Sequence, residues 1–461
     1  MVQTCSLLPF VEIVDRAHTG PVCSVKEWDV KVLPKIAKEK VAKYGLKFDP
    51  ENLIISDDSL ADAAYQAGFE LAVDAGVLCM DTERIIKVTE SELKAAVREA
   101  KKEQTYGGGS DEILYYARKP EDKRPLRRHV GPFATAVSED IFVPTHQAYA
   151  HCHLVDMLSC GVLPTVYGRE AKAGTPYEVL GEMLTARLLK EAVRRAGRPG
   201  LPIAGANATG IGHLASWSYD HFTMGDHCVI SMPSDLKTAY FLLNKAAQAT
   251  VQGYKIYGFS HPTIGGYAGG PEGAAIMSIA AALMLVALLK ADCPETNPYD
   301  GRYFGNSSRE GMWGRSLCTQ AISRNTNFIF GVDVDVVAGP CTEMVLYETA
   351  SGVINSTVSG AAWTNGIRPV AGRYRDYVGV LEGYLMCEVE LATCGMKRED
   401  ANDLAKKIVS KYETVLKSKN APVGKSIKEC YDLNKFKPSQ EWSDIYTKVK
   451  KDLKELGIAI T

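Results

Sequence analysis

The sequence predicts an α/β chain built around a closed (β/α)8 barrel with helical extensions at both ends. Three observations predict it. From about Gly131 onward, short β-branched runs alternate with amphipathic helices, the pattern of parallel strands joined by crossover helices. The candidate strands are short and strongly apolar, as strands buried on both faces are. Their C-terminal ends run into loops rich in Gly and Asn, and that end of a barrel strand is where chemistry is placed.

Taken in order, residues 1–130 read as a mostly helical extension, 131–380 as the barrel and 381–461 as a helical C-terminal portion of one structural unit. In the first part, Val22–Tyr44 and Asp58–Cys79 carry apolar residues at three- and four-residue spacing. Thr89–Lys102 is expected to open on a capping box, with Thr89 as N-cap and Glu92 three residues on. The basic, Pro-containing Arg118–Arg128 reads as a solvated connector. The expected strands are Gly161–Val166, Leu201–Ala204, His227–Met232, Lys255–Phe259, Tyr303–Gly305 and Phe328–Val332. The helices between them include Pro176–Ala196, Asp235–Gln252, the Ala-rich Gly273–Leu289 and Ser308–Arg324. Gly273–Leu289 has no charge and approaches the length of a membrane span. Pro271 and Glu272 suit a helix start, and no second candidate exists, so it reads as a helix packed on all sides rather than a membrane segment.

Composition removes several function classes. A net charge of −2 gives no support for binding nucleic acid or an anionic membrane. Twelve cysteines without a CxxC pair point to reduced thiols in a cytoplasmic protein. MVQTCSLLPFVEIVDR has neither a basic start nor a long apolar stretch, so no signal peptide is expected. There is no GxxxxGK[ST], GxSxG or HExxH, and GGYAGG at Gly265–Gly270 has the wrong spacing for GxGxxG.

The polar groups that remain are few. His151-Cys152-His153, with His213, His221, His227 and Cys228, is the densest set of metal-ligand types, read as packing or capping groups. Asp333 and Asp335 in GVDVDVVAGP fall on one face if the strand continues, where a carboxylate pair could share a proton, bind a cation or hold an ammonium group. Asp226-His227 precedes a strand and reads first as a structural pair, with an oriented base as the alternative. LPIAGANATG at Leu201–Gly210 ends a strand with Ala204 at its tip and no nucleophile, amine or carboxylate there.

GGYAGG (265–270), AGPCTEM (338–344) and TPYEVL (175–180) resemble the monomethylamine:corrinoid protein methyltransferases of methanogenic archaea. The similarity runs nearly end to end, through KYGLKF (43–48), DTERIIKVTE (81–90), SEDIFVP (138–144), AGRPG (196–200) and KECYD (428–432). The resemblance implies a (β/α)8 barrel, a homo-oligomer, specifically a hexamer, and a separate corrinoid protein presenting Co(I) at the barrel mouth. It also implies pyrrolysine shortly after AGRPG, where this chain has Ala204. Two glutamates of the family fall near Val229 and on Phe259, and a glutamine and a tyrosine fall on Asp333 and Asp335. A pocket so rebuilt suits a methylated cation, held by aromatic contact and charge.

The expected activity is therefore methyl transfer from a small methylated substrate, such as a quaternary or other methylated amine, to Co(I) of the partner without pyrrolysine. Asp333 and Asp335 are the expected groups for the polar or cationic end, with Asp226 and His227 as lesser proton-transfer candidates. Ala204, Asn207, Phe259, His261 and Tyr267 are the expected substrate contacts. No tightly bound cofactor is expected. The alternatives are a zinc-dependent methyl thiol or alcohol enzyme and an inactive paralogue that only binds a corrinoid protein.

Overall fold

The computed structural model describes residues 8–206, 209–218 and 221–460. Eight parallel strands close a barrel: β1 (Arg127–Val130), β2 (Met157–Ser159), β3 (Ile203–Ala206), β4 (His227–Ser231), β5 (Lys255–Ser260), β6 (Cys293–Thr296), β7 (Gly331–Asp335) and β8 (Trp363–Arg368). Each strand pairs with the next in chain order, and β8 closes the ring on β1. The barrel helices follow in alternation: α1 (Phe142–Ala150), α2 (Pro176–Arg195), α3 (Gly210–Trp217), α4 (Tyr240–Gln252), α5 (Pro271–Leu289), α6 (Arg309–Asn325), α7 (Glu343–Ser359) and α8 (Leu381–Thr393). The barrel thus begins with β1, just before residue 131, and ends with α8, just after residue 380.

The expected fold holds, but several elements move. Gly161–Val166 is not a barrel strand: β2 precedes it, and Thr165–Val166 forms a small hairpin with Arg169–Glu170. Tyr303–Gly305 is likewise a loop, and the sixth strand is Cys293–Thr296, whose Pro294 and Glu295 conceal it in the sequence. The strands expected at Leu201–Ala204 and Phe328–Val332 run two to three residues later, because pairing with their neighbours carries the extended chain onward. Helix 58–79 stops at Ala75 and gives way to strand Val77–Cys79, and α4 begins at Tyr240 rather than Asp235. The capping box at Thr89 and Glu92 is present.

Arg118–Arg128 is not a solvated connector. Arg118 is 1% exposed and donates to the carbonyls of Thr357 and Ala361, where α7 ends. A guanidinium with five donors satisfies carbonyls that the helix end leaves orphaned. Arg128, in β1, pairs with buried Asp156 at 2.8 Å.

The Ala-rich α5 is apolar on every side because it is covered on every side. It lies on β5 and β6, and the extension helices Asp58–Ala75 and Glu90–Glu99 pack over it. A Cβ at Gly68 would stand 2.5 Å from Ile279 Cγ2, so only glycine permits that approach. It is the one described helix long and apolar enough to cross a membrane, and 94% of its most apolar window is buried.

The barrel's N-terminal end is closed by the hairpin of Glu103–Tyr106 and Ile113–Tyr116. Its turn is fastened to the loops entering β4 and β3 by Gly107 N–H to Gly225 O (2.9 Å) and Gly108 N–H to Gly200 O (3.1 Å). Tyr106 and Tyr115 thereby join Met157, Ala204, Tyr257, Cys293 and Trp363 in one buried interior layer. His129 stacks on Trp363 at 4.3 Å, and His227 packs on Tyr106 and Tyr257 in the same layer.

Glu390 on α8 is fully buried beside Arg128 and Thr364, and burial pushes its carboxyl up to about 8 against the opposing effect of Arg128. The folded chain therefore holds this proton more tightly than the unfolded chain. The stability so gained is complete below the ordinary glutamate value and is lost as pH rises through about 8. Glu348 and Glu382, each raised by burial to about 7, act in the same direction. Glu390→Gln is expected to flatten the fall of unfolding free energy between about pH 5 and pH 9 by on the order of a few kcal/mol. Urea unfolding at both pH values measures it; parallel pH dependence in variant and parent would refute it.

Candidate active site

Side chains facing the barrel axis alternate along each strand. One layer above the aromatic floor, toward the C-terminal mouth, this alternation brings in Phe259 from β5, Glu295 from β6, Asp333 from β7 and Asn365 from β8. Phe259 and Glu295 are direct neighbours across the β5–β6 pair. His261, in the loop just past β5, turns back over them.

The resulting group is compact. His261 Nε2 lies 3.5 Å from Glu295 Oε1 and 3.6 Å from Asp333 Oδ2. One ligand-type atom from each of the three residues falls within 4.8 Å of the others, and no other His, Cys, Asp or Glu trio does so among the described residues. Both carboxylates are fully buried, whereas the His261 side chain is 19% exposed, so the group opens toward the mouth on the histidine side.

The far oxygens are anchored. Tyr257 OH donates to Glu295 Oε2 and itself accepts from Asn365 Nδ2 at 3.0 Å, while Ser159 Oγ donates to Asn365 Oδ1 at 2.6 Å. Asn306 Nδ2 donates to Asp333 Oδ1 at 3.1 Å, and Asn297 Oδ1 accepts the Asp333 N–H at 2.8 Å. Glu295 Oε1 and Asp333 Oδ2 have no hydrogen-bond partner among the described residues. Burial, and then the carboxylates of Asp333 and Asp335, push Glu295 well above the ordinary range.

Asp335 is differently placed. Its carboxylate is closed by a bidentate pair with Arg368, at 2.6 and 2.5 Å. Burial still raises its carboxyl to about 6, with Arg368 opposing. Asp333 and Asp335 do share a face, as their spacing implies, but only Asp333 presents an oxygen without a donor. Glu295 takes the second acidic position. In the sequence CPET resembles a break, which hides Glu295; the uncovered gap between α5 and α6 is the signal for a strand there.

The other expected residues are dispersed. Asp226 and His227 lie at the opposite end of the barrel. Asp226 pairs with Lys190 at 2.6 Å and accepts the N–H groups of Ile203 and Thr223, which ties down the entries to β3 and β4. His227 is fully buried in the aromatic floor and held neutral by burial, so no oriented base faces the mouth there. Ala204 is not the strand tip: β3 continues to Ala206, and Ala204, 4% exposed, sits one inward layer below it. Asn207 lies outside the described residues. Tyr267 is 43% exposed and packs under the Lys237 ammonium at 5.3 Å. His151 meets Phe436 edge to face and His213 faces Cys228, so the histidine- and cysteine-rich segments do not converge.

Beside the carboxylates, a cavity of about 270 Å³ opens between the ends of β2 to β5. Cys160, Ala206, Val229, Ser231 and Phe259 line its barrel side. Phe259 is shared between this cavity and the acidic group, its ring 5.5 Å from that of His261.

The model of the family described as Monomethylamine methyltransferase MtmB matches residues 8–458. Monomethylamine methyltransferase MtmB1 of Methanosarcina acetivorans is 33% identical over 454 residues, covering 97% of each chain. Monomethylamine methyltransferase MtmB2 of Methanosarcina barkeri is 32% identical over 449 residues, with the same coverage. The crystal structure of the Methanosarcina barkeri enzyme superposes with a TM-score of 0.95 at 32% identity over 98% of both chains, and the crystal structure of the hydroxylamine MtmB complex does so equally. An eight-stranded barrel of this topology, matched along its whole length in sequence and in structure, places the chain in the monomethylamine methyltransferase MtmB family.

Proposed function

We propose that this protein moves a methyl group from a small methylated amine to Co(I) of a separate corrinoid protein, and does so without pyrrolysine. Full-length family membership supports methyl transfer. The observation that carries the site is the pair of buried carboxylate oxygens, on Glu295 and Asp333, that lie beside His261 with no hydrogen-bond partner among the described residues. The substrate nitrogen sits at this group. Phe259 contacts the methyl groups, and the transferred methyl points outward to the cobalt. Co(I) is the nucleophile: it supplies the electron pair of the new Co–C bond, and the C–N pair leaves with the amine. The protein supplies position and charge.

Ala204 supports the loss of pyrrolysine, since a methyl side chain in a closed aromatic layer offers no electrophile. The resemblance puts Phe259 where the family keeps a glutamate, and Glu295, directly beside it on β6, returns a carboxylate at the same level. A more highly methylated amine then becomes a better donor than monomethylamine. By resemblance the enzyme is a cytoplasmic hexamer.

The test is methylation of a reduced corrinoid protein by a panel of mono-, di-, tri- and tetramethylated amines, followed by the absorbance change from Co(I) to methyl-Co(III). At least one amine is expected to react. If none does while the chain still binds the corrinoid protein, the inactive-paralogue reading replaces this one. If Asp333→Asn alters the affinity of no amine, the site is misassigned.

A further inference from the structure

We propose that His261, Glu295 and Asp333 form a site for one divalent transition-metal ion, with an open coordination position facing the barrel mouth. Three arguments from geometry carry it. First, the donor set is one imidazole nitrogen and two carboxylate oxygens, a combination that suits zinc and its neighbours. Second, the spacing fits: an ion held at about 2.0–2.1 Å in tetrahedral geometry separates its ligand atoms by roughly 3.3 Å. The two histidine edges, at 3.5 and 3.6 Å, need only a small contraction, and the carboxylate–carboxylate edge lies within 4.8 Å. Third, the supports are built. Glu295 Oε2 is held by Tyr257, and Asp333 Oδ1 by Asn306, so each carboxylate is turned to aim its other, unpartnered oxygen at the same point. Two buried carboxylate oxygens without donors are costly unless a cation completes them.

Three protein ligands leave a fourth position for substrate, the arrangement of catalytic rather than structural zinc. The inference rests on the proposed function only in placing the substrate at this mouth, and it decides a question within that reading. A bare carboxylate pair selects a cation, including a quaternary ammonium. A metal-loaded site is near neutral and selects a heteroatom with a free lone pair: the free base of a methylamine, or a methyl thiol or alcohol. A quaternary ammonium has no lone pair to offer it.

The experiment uses the full chain, stripped with chelator and titrated with zinc alone. The parent is expected to retain about one zinc per chain through gel filtration, with a rise in melting temperature. Asp333→Asn, Glu295→Gln and His261→Gln are each expected to weaken zinc binding at least tenfold. His261→Gln alters a partly exposed side chain and keeps the test valid should a core variant fail to fold; circular dichroism verifies each fold. Absence of stoichiometric uptake, or uptake indifferent to all three substitutions, overturns the proposal. Full turnover by stripped protein, or a quaternary amine as best donor, also overturns it while leaving methyl transfer intact. Zinc bound tightly with no corrinoid methylation by any donor would instead sink the functional reading and leave the site standing.

Discussion

Asp333→Asn is expected to lower kcat/KM for corrinoid methylation by about 10²-fold or more. Asp333 Oδ2, like Glu295 Oε1 beside it, is a buried carboxylate oxygen with no hydrogen-bond partner among the described residues. Whatever occupies the site, an ammonium group or a metal ion, takes a charge-assisted contact from it. Such contacts contribute about 3 kcal/mol at the upper end, which is about two decades in rate. The amide keeps the acceptor for Asn306 if its oxygen faces that way, so the fold is expected to survive. Initial rates of methyl-Co(III) formation, with circular dichroism as the fold control, measure the effect. A loss below about threefold would show that Asp333 does not contact the substrate.

The second large effect is on stability. Arg368→Met is expected to destabilise the fold by about 3–5 kcal/mol, because it leaves the buried Asp335 carboxylate without its cation. Asp335 lies beside Asp333 and Glu295; burial, and then the Asp333 carboxylate, already raises the Asp335 carboxyl, while burial followed by Asp333 and Asp335 raises Glu295. The double variant Arg368→Met/Asp335→Asn is expected to recover most of the loss, since it removes both charges rather than one. Urea unfolding of the parent, the two single variants and the double variant completes the cycle. A double variant no more stable than Arg368→Met would mean that packing of the guanidinium stem, not the charge pair, is what matters.

Much of the barrel was legible from local pattern. Runs such as HCVIS and KIYGFS show alternation or continuous apolarity, and α2, α5 and α6 carry helical signals that need no tertiary context. Of the four strands that local pattern does not disclose, β1, β2, β6 and β8, two share a cause. RRHV in β1 and CPET in β6 carry charge or proline at positions whose burial depends on what packs against them. Arg128 finds Asp156 on the adjoining segment, and Glu295 finds Tyr257 on the next strand. No property of either segment alone discloses such a partner.

The same distinction separates the site's two halves. Local pattern is enough to alternate strands and helices, to put Asp333 and Asp335 on one face of a strand, and to end another at Phe259. These follow from the period-2 geometry of an extended chain. Which acids are free depends instead on the strands that pack beside them. Arg368, from the neighbouring strand, closes Asp335, while Glu295 joins Asp333 under His261. Tertiary structure also sent Asp226 and His227 to the barrel's far end, because that end is where their strand begins. Side-chain direction is local, but the partner that neutralises or completes a buried charge comes from another strand, through a register that closure of the barrel sets.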